Sequence, residues 1–294
     1  MTEHTLAFGL NKALVGTICL PSTAQSSGIG VIFFNAGVVH RIGPHRIHVR
    51  LARALAAKGI SSIRFDLSGQ GDSARPVVPN AFEIQVEMDV QAAMQALGDA
   101  TGLTQFALFG FCSGAYQGFP IALADARLTG LLMYDAFLYP TMRSRLNRYG
   151  LRIKQHGLVN AAGRFAWREI AALAARLMPG AHGGGKGQPA VDEGFFTELP
   201  TKPVFAAGLG KLVSRGVKVG LIFTGGTFER YNYAGQFSDA FAGLDIVDKL
   251  TLHYFPDMDH LVSAIAAQVE LIEYIERWMV DLNVASRAVS VAAE

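Results

Sequence analysis

Cysteine is scarce: a chain of 294 residues holds two, Cys19 and Cys112. That excludes a disulfide framework, and the pair lacks the close spacing of metal ligands. Charge is also sparse, at 17% of residues with a net of +2, and a mean hydropathy of +0.26 raises the question of a membrane span. No run answers it. The longest uncharged stretch, 100–124, contains Gln105, Ser113, Gln117, Pro120 and four glycines, and reads as buried strand, turn and helix. The N-terminus has an acidic residue and no basic region before its apolar run, so neither a signal peptide nor membrane insertion is expected and the cytoplasm is the expected compartment. Internal repeats, cofactor motifs, metal-binding motifs and nucleic-acid-binding motifs are all missing.

What is present is a large apolar fraction, half of all residues, ordered in a regular way. "TLAFGL" and "ALVGTICL" flank Asn11-Lys12 as an antiparallel hairpin would, with Cys19 an inert core residue in its second strand. "GVIFFNAG" is a strand buried on both faces. Pro44 opens a helical pattern through Ile47, Leu51 and Leu55. "SSIRFDL" (61–67) is a strand, and Asn80 with Glu83 suggests a capping box before the next helix. Strand 105–111, a helix that Pro120 should kink, and strand 128–136 follow. Such alternation argues for a mostly parallel sheet covered on both faces. It stops at 137–200, read as an inserted helical cap holding the helical run "GRFAWREIAALAARLM" and the flexible "HGGGKGQP" (182–189). It resumes in strand 217–226, a short helix, strand 249–257 and a final helix from about 261 to 282, with the tail expected to fray. The core is therefore 1–136 with 201–294.

Chemistry concentrates in "FGFCSGAYQG" (109–118). G-x-C-x-G by itself is a weak signal, but here it falls where an apolar strand ends and a helix begins, the elbow that presents a nucleophile above a sheet. Its two glycines leave room for the tight turn. The bland alternative is that Cys112 is a small buried residue in a protein that only binds.

Four segments in order, "FFNAG", "FDLSGQGDS", "GFCSGA" and "PDMDH", make the chain resemble the α/β-hydrolase superfamily over nearly its whole length, and within it the cysteine-nucleophile members found as bacterial exosortase-associated hydrolases. The resemblance implies a mostly parallel eight-stranded sheet flanked by helices, and the chain order nucleophile, acid, histidine. It makes His260, just after the last strand, the expected base, and leaves His253 structural. For the acid it favours Glu229, beyond the strand "GLIFTGG", with Asp135 in "MYDAF" as the alternative; Asp257 and Asp259 are read as helix caps. It places an oxyanion hole at the backbone N–H of Ser113 and that of Val38, with Gly37 allowing close approach, and makes the turn from Asp66 to Ser73 structural.

A free thiol titrates near 8.5, and one placed beside a histidine at a helix N-terminus attacks more readily as thiolate. Its intermediate is a thioester, which keeps the acyl group activated for water, an amine, an alcohol or a carbon nucleophile. That favours a thioesterase or an acyltransferase or cyclase. Ester or lactone hydrolysis is the alternative, since dienelactone hydrolases carry a cysteine in this motif. Between 141 and 176, Arg143, Arg145, Arg148, Arg152, Lys154, Arg164, Arg168 and Arg176 stand against Glu169 alone. Arg148 and Arg152 are candidate contacts for an acidic acyl carrier protein or the phosphates of coenzyme A, against the plainer reading of a solvated helix face.

Overall fold

The computed structural model describes residues 1–22, 28–76, 80–156 and 199–292. One sheet of eight strands runs through them in the order β1-β2-β4-β3-β5-β6-β7-β8. β1 (Thr2–Phe8) and β2 (Leu14–Leu20) form the antiparallel hairpin around a turn in which Asn11 and Lys12 both have positive φ. β2 then pairs antiparallel with β4 (Ser62–Phe65). From β4 onward every pairing is parallel, through β3 (Ile29–Phe33), β5 (Gln105–Phe111), β6 (Leu128–Tyr134), β7 (Lys218–Thr224) and β8 (Thr251–Phe255). All five residues of β3 are buried, as a strand covered on both faces requires.

Each face of the sheet has its own core. On one side α1 (Ile47–Ala57) and the C-terminal helix (Ile265–Ala292) pack Ile47, Leu51, Leu55, Leu271 and Trp278 onto the strands. On the other lie α2 (Phe82–Thr101), α3 (Ser113–Ala124) and the helix Lys202–Ser214, with Val90, Phe119 and Phe205 buried. A fourth helix, α4 (Met142–His156), follows β6. Because β3 and β5 to β8 run the same way, the loops that follow them gather at one edge of the sheet, where ligands bind in open α/β folds.

Local readings needed adjustment at three ends. Pro44 starts a tight turn, Pro44–Arg46, in which His45 and Arg46 take positive φ; the helix proper begins at Ile47. No capping box forms at α2, because Ala81 occupies the cap position and the Asn80 amide instead donates to Gln85. Nor does the tail fray at 283. The helix continues to Ala292, and Asn283, buried, accepts a hydrogen bond from the Ile29 amide at 2.9 Å, tying it to the start of β3. Just past the expected boundary at 136, Phe137, Leu138 and Tyr139 are buried. The expected helix and glycine-rich stretch of 157–198 lie outside the described residues.

Candidate active site

β5 ends at Phe111 and α3 starts at Ser113, so the whole change of direction falls on Cys112, at φ 52 and ψ −115. For a residue with a side chain that conformation costs about 1–3 kcal/mol and persists only when neighbours hold it. They do: its amide donates to Tyr134 at 2.9 Å and its carbonyl accepts from Ala115 at 3.0 Å. A Cβ on Gly110 would run into the Ala115 backbone, and one on Gly114 would crowd the Asn35 carbonyl at 3.1 Å. Both glycines are thus steric requirements of the elbow.

His260 sits in the turn 256–264 after β8. Close approach is again made by glycine, because side chains at Gly225 and Gly226 would collide with the Pro256 carbonyl and the His260 amide. Asp259 stabilises the turn by accepting from the amides of Leu261 and Ser263, and Tyr134, stacked on Phe111 at 4.2 Å, donates to the Asp259 carbonyl. The final helix therefore starts at Ile265 rather than near 261.

The carboxylate beside His260 is Asp135. Its φ of 48 turns the side chain under the histidine turn, where it is fully buried and Nδ1–H of His260 donates to it at 2.9 Å. Thr224 fixes the same carboxylate through its amide at 2.7 Å and its hydroxyl at 2.5 Å. On its other side His260 lies next to Cys112, close enough for the sulfur to favour the charged ring. Burial of the ring opposes its charge, but the hydrogen bond to Asp135, the adjacent Cys112 sulfur and the Asp135 charge outweigh that and raise its pKa to about 10. Cys112, His260, Asp135 and Thr224 form one continuous chain of contacts.

Glu229, the favoured acid, is not part of it. The chain leaves β7 through the turn Gly225–Thr227 toward solvent, and Glu229 has a 60% exposed side chain lying 3.8 Å from Arg148. Arg148 also donates to the Glu229 carbonyl; Arg152 lies in α4, and its side chain is outside the description. In the loop after β3, Val38 is 72% exposed. The amide that reaches the elbow is that of Gly37, which donates to Ser113 Oγ at 2.5 Å. The Asp66 turn is a buried polar knot: Asp66 accepts from Asn35 and from the Arg41 backbone and guanidinium, and its carbonyl accepts from Ser73 Oγ. His40, Asp66 and Asp72 bring three metal-ligand atoms within 4.8 Å of one another. The Arg41 guanidinium, bonded to all three side chains, already occupies their centre.

Sequence reasoning missed Thr224, and with it the decision between the two acids. The signal was a hydroxyl residue at the end of a buried strand, directly before the glycine pair.

Solved structures with the same arrangement of strands and helices include an alpha-beta serine hydrolase homologue from Coxiella burnetii (TM-score 0.55, 14% identity, covering 94% of this chain and 97% of that one). A dienelactone hydrolase from Anabaena variabilis matches with TM-score 0.53 and 14% identity over 94% and 96% of the two chains. The chain has the α/β-hydrolase fold. A Xanthomonas campestris member of the serine hydrolases, described as without a lid, agrees at TM-score 0.51 and 15% identity over 94% of each chain. No protein-family model matches the chain, and no curated protein does. Among the described residues of this α/β-hydrolase fold, no helix is long and apolar enough to cross a membrane.

Proposed function

We propose that the protein is an acyl-transfer enzyme, a thioesterase or acyltransferase, that carries its acyl group on Cys112. The single observation that supports this is the contact chain from Cys112 through His260 to Asp135, with Thr224 holding the carboxylate. In the first step the Cys112 sulfur gives its proton to His260 as it attacks the carbonyl carbon of an acyl thioester. The tetrahedral oxyanion forms beside the Ser113 amide at the start of α3. As the carbon–sulfur bond of the donor breaks, the leaving thiolate takes the proton from His260. An acceptor hydroxyl, amine or water then gives a proton back to His260 as it attacks the Cys112 thioester, freeing the sulfur. Asp135 orients the ring and favours its charged form throughout.

Exchanging one thioester for another is close to isoenergetic, which is the reason to prefer a sulfur donor. Lactone or ester hydrolysis by the same residues is the second reading, favoured by the likeness in fold to the structure named dienelactone hydrolase. The donor is free, coenzyme A-bound or carrier-bound. Intact-protein mass spectrometry after incubation with a panel of acyl thioesters and lactones separates these readings. A mass gain from thioesters, lost in Cys112→Ala, is the expected result. A gain only from lactones moves the assignment to the second reading, and none from any compound turns the chain into a binding protein.

A further inference from the structure

α4 is amphipathic in the wrong sense for a helix on a protein surface. Its inward side is largely polar: Ser144 is buried and its carbonyl accepts from Asn232, Arg148 donates to the Glu229 carbonyl and Asn147, at the edge, bonds Asn232, with half-buried Leu151 the one apolar residue among them. Its outward face is apolar. Met142, Leu146, Tyr149 and Ile153 recur at spacings of four, three and four, so they line one stripe about 17 Å long, and they are 72%, 62%, 40% and 38% exposed. Arg143, its guanidinium stacked over Tyr233 at 4.4 Å, and Arg145, both exposed, flank the stripe on opposite sides, and Arg152 and Lys154 repeat that flanking pattern by position. The helix has no acidic residue.

We propose that α4 lies on an anionic lipid surface, with the stripe entering the headgroup boundary and the basic residues meeting lipid phosphates. An apolar stripe with cations along both borders is the form of an interfacial helix, whose basic side chains reach back to the headgroups. Charge selects this occupant over a second copy of the chain, which would bring five more basic residues of its own helix against these with no carboxylate among them. Position agrees. α4 leaves the same edge of the sheet as Cys112, and the loops that share this edge expose Val38 at 72% and Leu261 at 50%. A bilayer seated there faces the catalytic end, where an acyl donor dissolved in lipid would be delivered.

The inference goes beyond the acyl-transfer reading and its test needs no turnover. Full-length Cys112→Ala protein is floated with vesicles of phosphatidylglycerol in phosphatidylcholine and with phosphatidylcholine alone. Binding to the anionic vesicles is expected at 0.1 M salt, and should weaken toward 1 M as the Debye length falls from about 10 to about 3 Å. Leu146→Gln with Ile153→Gln should lower the partition coefficient by about ten-fold or more, and Arg143→Gln with Arg145→Gln by about ten-fold. These positions are exposed, so far-UV circular dichroism and thermal stability should be unchanged, with any near-UV change confined to Tyr233, over which Arg143 stacks. No binding to anionic vesicles, equal binding to neutral ones, or unaltered binding by both double variants overturns the proposal. So does loss of affinity for an acidic carrier protein in these variants without vesicle binding, which would make the face a protein dock.

Discussion

Asp66 and Asp135 are the same device used twice. Each is a fully buried carboxylate just past the end of a parallel strand, and each is held by hydrogen bonds from backbone and side chain. They differ in the partner. Asp66 faces Arg41, whose charge is permanent; a histidine, His40, also lies 3.4 Å away, but it is bonded to Arg41 and the contacts end in a knot with Asn35, Asp72 and Ser73 rather than at a nucleophile. Asp135 faces His260, which titrates and leads on to a sulfur. The two buried carboxylates therefore differ in what lies beyond the partner: on the acyl-transfer reading the histidine beside Asp135 can take a proton from a sulfur nucleophile, whereas the arginine beside Asp66 cannot give its own up.

Exchanging the carboxylates tests this most sharply. Asp135→Asn should lower kcat on the order of 10²- to 10⁴-fold by removing the acceptor that orients His260. Asp66→Asn should leave kcat per folded molecule within a few-fold, yet cost about 1–3 kcal/mol in chemical denaturation, because Arg41 then keeps only the exposed Asp72 as countercharge. Equal activity losses in both variants would erase the distinction.

A smaller effect contrasts two histidines. His48, fully buried between Phe33 and Phe109, has its pKa pushed down to about 4 by burial. Between pH 4 and 6.5 the unfolded chain binds the proton that the folded one refuses, so stability should rise with pH across that window, by on the order of 3 kcal/mol. His260, raised to about 10, gives the opposite slope: its contribution is complete below pH 6.5 and is lost as pH climbs toward 10. Stability measured by urea denaturation should peak near pH 6.5, and His48→Phe should flatten the acid limb alone.

The smallest effects concern the residues left outside the contact chain. Glu229→Gln, with its exposed and weakly paired side chain, should change kcat by no more than about two-fold. Ser113→Ala removes the acceptor of the Gly37 amide and should lower kcat about five-fold, the worth of one hydrogen bond of about 1 kcal/mol, with KM unchanged. A loss on the scale of Asp135→Asn from either substitution would extend the site beyond the four residues.

Strand and helix succession, the elbow at Cys112 and the position of His260 were legible in the residue order, because each is a local pattern: an apolar run, a glycine pair, a turn after a strand. The parallel sheet followed from alternation, since helices on both faces bury both sides of every central strand. Which carboxylate pairs with His260 was not legible. Two carboxylates followed two adjacent strands, and only the positive φ at Asp135, together with Thr224 across the β6–β7 pairing, decided which one lies beneath His260. The inverted face of α4 was equally hidden: spacing reveals a stripe, but which side of a helix meets the protein is settled by the chain it packs against, here the segment 228–236 and its hydrogen-bonding groups.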